Sequence, residues 1–166
     1  MSTPIELHGL LDSDAIASIK AKLASVGWYD GAKTAGPIAA TVKHNLQAHD
    51  VDTLALRTGL VDLLMADKLF RSIVRPKTIG LLFSHYIQGA GYGLHVDDAM
   101  MESIRRDVSF TWFLSAPEEY DGGELVIESP LSEAKYKLAA GSMVIYPATA
   151  LHKVEPVTRG ERTVIV

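Results

Sequence analysis

The spacing of apolar residues separates a helical first part of the chain from a strand-rich second part. After Asp12, apolar residues recur at every third or fourth position, which predicts a helix capped by Asp12 or Ser13. A short helix is predicted over about residues 38–47, and a longer one over residues 53–73. We expect the longer helix to bury a stripe of leucines: Leu54, Leu56, Leu60, Leu63, Leu64 and Leu69.

Beyond residue 77, short runs rich in β-branched and aromatic residues are separated by turns. In SFTWFLS the alternation puts two sets on opposite faces: Phe110, Trp112 and Leu114 on one, Ser109, Thr111 and Phe113 on the other. This pattern indicates a β-sandwich or jelly roll, with the helices packed against its outside. The length suits one domain over residues 1–166, helical to about residue 75 and jelly-roll from about 76.

Composition narrows the possible chemistry. A formal net charge of −4 argues against a nucleic-acid partner. The chain has no cysteine, so a metal site must be built from His, Asp and Glu. We find no apolar run long enough to cross a membrane and no signal-peptide pattern, so we expect no membrane partner and a cytoplasmic location.

The stretch HVDD carries the clearest candidate chemistry. His95 and Asp97 lie two residues apart, so in an extended segment both side chains point to the same face. A third ligand is needed to hold a catalytic metal, and the best candidate is His152, 55 residues after Asp97 at the start of another predicted strand. Two histidines and one carboxylate leave three metal positions open, which is typical of non-haem Fe(II) oxygenases.

Arg162 follows His152 by ten residues, an even offset that favours the same strand face, although the intervening TRG turn makes this parity unreliable. A guanidinium inside a barrel would bind a planar anion such as the far end of a dicarboxylate cosubstrate. The other histidines, His8, His44, His49 and His85, have no such neighbours and are interpreted as surface or core residues. We interpret Asp98 as a loop cap or a support for the ligands.

The chain resembles the PKHD-type hydroxylases, relatives of the prolyl and lysyl hydroxylases, through WYDGAKTAG, VKHNLQ, YGLHVDDAMM, YDGGELVIE and GSMVIYPATALHKVEPVTRGER. The resemblance implies a double-stranded β-helix and an Fe(II)- and 2-oxoglutarate-dependent dioxygenase. It implies that His95, Asp97 and His152 bind iron, that Arg162 anchors 2-oxoglutarate, and that Tyr86 hydrogen-bonds this cosubstrate.

The reaction implied by the resemblance uses O₂ to hydroxylate a C–H bond, with succinate and CO₂ as coproducts and ascorbate as an optional further cofactor. The family pattern continues into a C-terminal helical extension, whereas this sequence ends four residues after Arg162. Two other classes stay open: a cupin-like metal-dependent isomerase or hydrolase, and a non-catalytic binding module. Dependence on 2-oxoglutarate would separate them from a dioxygenase.

The primary substrate and the oligomeric state are left open by the sequence. Prolyl or lysyl side chains of a peptide and small molecules fit equally well. Polar residues of the predicted short helix could select the substrate or form a solvated helix face: Lys43, Asn45 and Gln47. Three large residues could line the pocket or belong to the core: Met100, Met101 and Trp112.

Overall fold

The computed structural model describes residues 3–101, 103–129 and 132–166, apart from the side chains of residues 37, 38 and 101. The helices are α1 Ser13–Leu23, α2 Pro37–Ala40, α3 Val51–Ala66 and α4 Lys68–Val74, with 3-10 turns at Gly31–Thr34 and Pro117–Glu119. The first eight strands are β1 Ile5–Leu7, β2 Tyr29–Asp30, β3 Lys43–His44, β4 Leu46–Ala48, β5 Phe83–Tyr86, β6 Gly91–His95, β7 Met100–Met101 and β8 Ile104–Arg105. The others are β9 Val108–Phe113, β10 Tyr120–Gly122, β11 Leu125–Ser129, β12 Ser132–Tyr136, β13 Met143–Pro147, β14 His152–Val154, β15 Val157–Gly160 and β16 Arg162–Ile165.

Two antiparallel sheets form the barrel. The larger sheet has the strand order β1-β13-β9-β16-β5-β4-β2, and the smaller one has the order β12-β11-β14-β6-β3. Strands adjacent in the larger sheet lie far apart in sequence, as in the pairing of β16 with both β5 and β9. This topology and the fold neighbours described below confirm the predicted jelly roll with helices on one sheet.

The two faces of the larger sheet border separate apolar clusters. Trp112 of β9 packs with helical residues such as Leu60 and Phe70, and so does Leu114, which follows this strand. Phe113 points the other way, into a second cluster inside the barrel. The predicted alternation of SFTWFLS is therefore confirmed, and it decides which side chains can reach an internal site.

Asp12 caps α1, since its Oδ1 accepts the Ala15 N–H at 2.8 Å, as the sequence predicted. The long helix is instead broken at Asp67, whose extended backbone ends α3 and whose side chain caps α4 through the Phe70 N–H. Within the predicted stripe, Leu60 and Leu64 are buried, but Leu54 and Leu69 are 53% and 58% exposed. The predicted buried stripe was wrong at Leu54 and Leu69, because a large number of leucines does not show which of them lie on the buried face of the helix.

The short helix predicted over residues 38–47 was wrong beyond Ala40. Residues 43–48 instead form two short strands, because Lys43 pairs with Tyr92 of β6 and Leu46 pairs with His85 of β5. This segment crosses from the smaller sheet to the larger one, so tertiary pairing overrides local propensity. Within the part of the chain that the structure describes, no helix has the length and hydrophobicity needed to cross a membrane.

Candidate active site

Three of the predicted site residues meet at one end of the barrel, where β6 and β14 pair. His95 ends β6 and lies directly opposite His152, the first residue of β14. Asp97 follows two residues later, and its backbone N–H donates to the carbonyl of Ala148 at 3.2 Å. The strand register therefore brings together residues that are distant in sequence.

The ligand atoms of His95, Asp97 and His152 all lie within 4.8 Å of one another. Asp97 Oδ1 is 3.7 Å from His95 Nε2 and 3.8 Å from His152 Nε2. The opposite ring nitrogens, Nδ1, lie 2.8 Å from the Gly93 carbonyl and 2.9 Å from the Ala150 carbonyl. Since a carbonyl only accepts, each ring carries its hydrogen on Nδ1 and keeps the Nε2 lone pair for a metal.

Ser109 supports the carboxylate, although the sequence analysis gave it no role. Its hydroxyl donates to Asp97 Oδ2 at 2.5 Å. Burial alone would raise the pKa of Asp97, but interactions with His95, His152 and Ser109 outweigh it and lower that pKa. The carboxylate is therefore ionised at neutral pH, the form that binds a cation. The signal in the sequence was the position of Ser109 on the same predicted face as Thr111 and Phe113.

The two imidazoles belong to a row of four rings in contact, of which only Tyr92 and His95 are stacked. Tyr92 lies parallel to His95 with centroids 3.5 Å apart, His95 is 4.2 Å from His152, and Tyr146 is 5.0 Å from His152. Burial lowers the pKa of His152, which favours the neutral ring that metal binding requires. Sequence reasoning missed both tyrosines, and the only local signal for Tyr92 was its place between two glycines.

Arg162 lies inside the barrel with 1% of its surface exposed. Its guanidinium carbon is 4.9 Å from the ring centroid of Tyr86 and 5.5 Å from that of Phe113. Among the described residues, none forms a hydrogen bond of full geometry with its three guanidinium nitrogens or with the buried Tyr120 hydroxyl, although the charge of Arg162 acts on the phenols of both Tyr86 and Tyr120. A buried cation is strongly unfavourable without an anion, so these groups define a subsite for one.

Tyr86 is the register partner of Arg162 across β5 and β16 and is 3% exposed. Burial raises the pKa of its phenol, and the charge of Arg162 opposes the shift only in part. The hydroxyl therefore stays protonated and can donate a hydrogen bond beside the guanidinium. The structure thus places both predicted cosubstrate residues side by side.

Other candidates lie elsewhere. Asp98 is exposed and does not belong to the three-residue cluster. Met100 is 54% exposed, and Trp112 is buried between the helices and the larger sheet rather than in the barrel. The side chain of Met101 lies outside the described residues.

The interpretation of Lys43, Asn45 and Gln47 as a solvated helix face was wrong. They are 7%, 5% and 4% exposed and alternate along the segment that crosses between the sheets. Burial lowers the pKa of Lys43 to about 8, with the charge of Asp97 opposing.

Two imidazole nitrogens and one carboxylate oxygen converging from one side match the donor set of an Fe(II) site with open positions. The buried, unpaired guanidinium of Arg162 matches a carboxylate held at the other end of a small chelating molecule. The residues present therefore fit both iron and 2-oxoglutarate.

Residues 81–166 match the model of the 2OG-Fe(II) oxygenase superfamily. Over 165 residues the chain is 46% identical to a PKHD-type hydroxylase of Prochlorococcus marinus, covering 96% of this chain and 75% of that relative. A Pseudomonas putida prolyl-4-hydroxylase has a similar fold, with a TM-score of 0.71 and 19% identity over 99% of this chain and 91% of that one. HygX from Streptomyces hygroscopicus, solved with nickel and 2-oxoglutarate bound, gives a TM-score of 0.67 and 14% identity over 99% of this chain and 81% of that one.

The chain therefore belongs to the 2OG-Fe(II) oxygenase superfamily and, within it, to the PKHD-type hydroxylases. This membership confirms the predicted enzyme class, a 2-oxoglutarate-dependent dioxygenase, and the predicted cofactors iron and 2-oxoglutarate. The role of each site residue, the use of ascorbate and the single-domain organisation stay predictions.

Proposed function

We propose that this chain binds Fe(II) through Nε2 of His95, Nε2 of His152 and the carboxylate of Asp97, and uses it to hydroxylate a C–H bond of a primary substrate. The observation that carries the proposal is the convergence of both Nε2 atoms on Asp97 Oδ1, at 3.7 and 3.8 Å, in a barrel that also holds an unpaired buried arginine.

In this proposal Arg162 anchors the distal carboxylate of 2-oxoglutarate, and Tyr86 donates a hydrogen bond from beside it. The low exposure of both residues supports the assignment, because a charge pair is stronger where water is excluded. Tyr120 supplies a further hydroxyl close to the same charge.

When bound, iron and 2-oxoglutarate supply the oxidising power for hydroxylation, with O₂ as oxidant and succinate and CO₂ as coproducts. The chain itself orients the imidazoles through the Gly93 and Ala150 carbonyls and orients the carboxylate through Ser109. The aromatic rings of Tyr92 and Tyr146 flank the histidines and limit the access of water.

The primary substrate is a prolyl- or lysyl-like side chain of a peptide or a small molecule. The neighbouring folds include enzymes of both kinds: a Trichoplax adhaerens prolyl hydroxylase in complex with a hypoxia-inducible-factor peptide fragment, and HygX with hygromycin B bound. A cupin-like enzyme or a binding module on this fold would not need the arginine subsite.

An anaerobic titration tests the proposal. Fe(II) and then 2-oxoglutarate are added while the weak visible charge-transfer band of the chelated complex is recorded. We expect the band in the wild type, a weakened band in Arg162→Ala, and none in His95→Ala. His44→Ala is the matched control, because His44 is an exposed histidine outside the cluster.

A folded, iron-loaded wild type without the band would contradict the proposed dioxygenase site. A band unaffected by Arg162→Ala at limiting 2-oxoglutarate would contradict the anchor alone. Succinate formation in air, followed in the same preparations, separates an oxygenase from a protein that only binds the two cofactors.

A further inference from the structure

The residues of two sequence signatures, DGAKT (residues 30–34) and VKHNLQ (residues 42–47), form one structural unit. Lys43, Asn45 and Gln47, here called the polar wall, share one face of the crossing segment and are each more than nine-tenths buried. The 3-10 turn at Gly31–Thr34 packs against this wall. Neither signature contributes an iron ligand, so the unit has a purpose outside the metal centre.

The DGAKT turn fixes the polar wall in place. The Gly31 N–H donates to the Asn45 carbonyl at 2.8 Å, and a Cβ at residue 31 would lie 1.9 Å from Asn45 Oδ1, so any other residue there would displace the Asn45 side chain. The Thr34 hydroxyl contacts Gln47 Oε1 and accepts from Lys43 Nζ at 3.0 Å. Five residues thus assemble a rigid polar surface.

Two members of the polar wall keep unused hydrogen-bonding capacity. Gln47 is satisfied by Thr34 and by Ser84. Neither buried amide atom of Asn45 forms a hydrogen bond of full geometry with a described residue, although the amide lies close enough to the Tyr86 hydroxyl to oppose in part the rise that burial gives the pKa of that phenol. Lys43 forms no ion pair with any carboxylate that the structure describes, although an ammonium has three hydrogens to donate. Buried groups of this kind are costly unless a ligand satisfies them.

A cavity of about 620 Å³ gives a ligand room beside these groups. Lys43 and Asn45 form part of one side, and Gln88 and Gly89 line it as well. Asp30 also borders the cavity, but its Oδ1 accepts the backbone N–H two residues on, at 2.9 Å, as the cap of the turn. The charges of Asp30 and Asp97 act on Lys43, but neither carboxylate forms an ion pair with it, and its one described hydrogen bond is to Thr34.

Lys43 itself, rather than the cavity as a whole, adjoins the iron site across one aromatic ring. Lys43 Nζ lies 5.1 Å from the ring centroid of Tyr92, and the same ring stacks on His95 at 3.5 Å. A molecule whose C–H bond faces the metal could therefore reach past Tyr92 to the polar wall.

We propose, on the basis of the proposed function, that the primary substrate carries a carboxylate bound by Lys43 and a neighbouring amide group bound by Asn45. An ammonium selects a carboxylate, and a side-chain amide with a free donor and a free acceptor matches another amide. The two residues are two positions apart on the crossing segment, roughly 6.6 Å at their Cα atoms where the backbone is extended, a span that an N-acyl amino acid can bridge. The C-terminus of a peptide presents the same chemistry.

The test uses the full chain loaded with Zn(II) and saturating 2-oxoglutarate, so that no turnover occurs. N-acetylglycine and its neutral analogue N-acetylglycinamide are titrated by calorimetry, and the Lys43 Cε and Nζ resonances are followed in lysine-labelled protein. We expect the acid to bind about tenfold to a hundredfold more tightly than the amide and to shift the Lys43 signals. A longer peptide with a free or an amidated C-terminal glycine distinguishes a peptide terminus from a free N-acyl amino acid.

Variants identify the residues responsible. Lys43→Met should remove the preference for the acid, and Lys43→Arg should retain part of it. Asn45→Ala should weaken the acid and the amide alike, because both probes contain the amide group. Lys33→Met is the matched control, since Lys33 is exposed on the same turn and should leave both affinities unchanged.

Equal binding of acid and amide, the absence of binding by both, or a preference that persists in Lys43→Met would overturn the inference. The comparison of N-acetylglycine with N-acetylglycinamide uses the wild type alone, so it tests the inference even if a variant does not fold. A wild type that forms the anaerobic Fe(II)–2-oxoglutarate band but shows no preference for the acid disproves only the substrate inference. A missing band instead disproves the proposed function.

Discussion

Replacing Arg162 with methionine should change cosubstrate affinity and protein stability in opposite directions. The guanidinium is 1% exposed and forms no ion pair with a described carboxylate, so the protein without cosubstrate contains a buried cation whose described polar neighbours are the Tyr86 and Tyr120 hydroxyls. Methionine has a similar length and suits the surrounding rings of Tyr86 and Phe113. Removing an unpaired buried charge should leave the free energy of unfolding unchanged or raise it by about 1–4 kcal/mol.

The affinity for 2-oxoglutarate should fall in the same variant. Truncating one partner of a buried charge pair costs about 2–5 kcal/mol, which corresponds to a loss of roughly thirtyfold to several thousandfold in affinity. The distal carboxylate is the group affected, so 2-oxobutanoate, which lacks it, should bind the wild type and Arg162→Met equally well. This comparison separates loss of the anchor from general damage to the site.

Two measurements check the reasoning. Urea unfolding without cosubstrate gives the stability, and anaerobic titration of the iron-loaded protein gives the affinity for each oxo acid. Saturating 2-oxoglutarate at a hundredfold excess over Kd should stabilise the wild type by about 2.7 kcal/mol but not the variant at the same concentration. An Arg162→Met variant that is less stable than the wild type, yet binds 2-oxoglutarate with normal affinity, would refute the interpretation of Arg162 as a buried cation that binds the carboxylate of the cosubstrate.

Four further substitutions test the residues that support the site and the fold. Ser109→Ala removes the hydrogen bond to Asp97 and should weaken metal binding about 10- to 100-fold in a competition titration with a chelator. Gly31→Ala places a Cβ 1.9 Å from a buried amide oxygen and should cost about 1–3 kcal/mol in urea unfolding. Gly59→Ala, with open space in a helix, should instead stabilise by about 0.5–1 kcal/mol, and equal effects of the two would contradict the packing. Burial lowers the pKa of His85 below its ordinary 6.5, so its contribution to stability is present above pH 6.5 and is lost as the pH falls through the lowered pKa. His85→Gln should flatten this part of the stability–pH curve, and an unchanged curve would contradict the assignment.

The chemistry of the site could be predicted largely from sequence because it depends on residue types and on long-range order. His95 and Asp97 share a face through simple alternation, and His152 begins a short predicted strand, HKV. The exact opposition of the two histidines could not be read from the chain, because a bulge interrupts the β6–β14 register.

Supporting residues were harder to find. Ser109 lies 12 residues from Asp97, and nothing local distinguishes a serine that holds a carboxylate from one that faces solvent. Arg162 was assigned from its offset, but its burial and lack of partners depend on how β16 lies between β5 and β9.

The crossing segment shows why helix and strand were confused. Lys43, Asn45 and Gln47 recur with a period of two, which favours a strand, yet the runs are only two and three residues long. Such short strands exist because β5 and β6 offer them partners, and that information lies elsewhere in the sequence. Local sequence patterns therefore predicted the strands of the barrel better than the short segment that crosses between its two sheets.

If His95 and His152 bind the metal as proposed, opening of the ladder between β6 and β14 depends on metal occupancy, because the two histidines lie opposite each other across it. A metal held by both strands must be released whenever this ladder opens. Bound metal would therefore raise the free energy of opening by the full free energy of metal binding. Amide hydrogen exchange of the β6–β14 ladder should therefore slow on metal binding. The β1–β13 ladder carries none of the three residues, so its local fraying should exchange at the same rate with or without metal. Metal availability would then set how often these two inner strands of the smaller sheet are exposed to proteases in a cell.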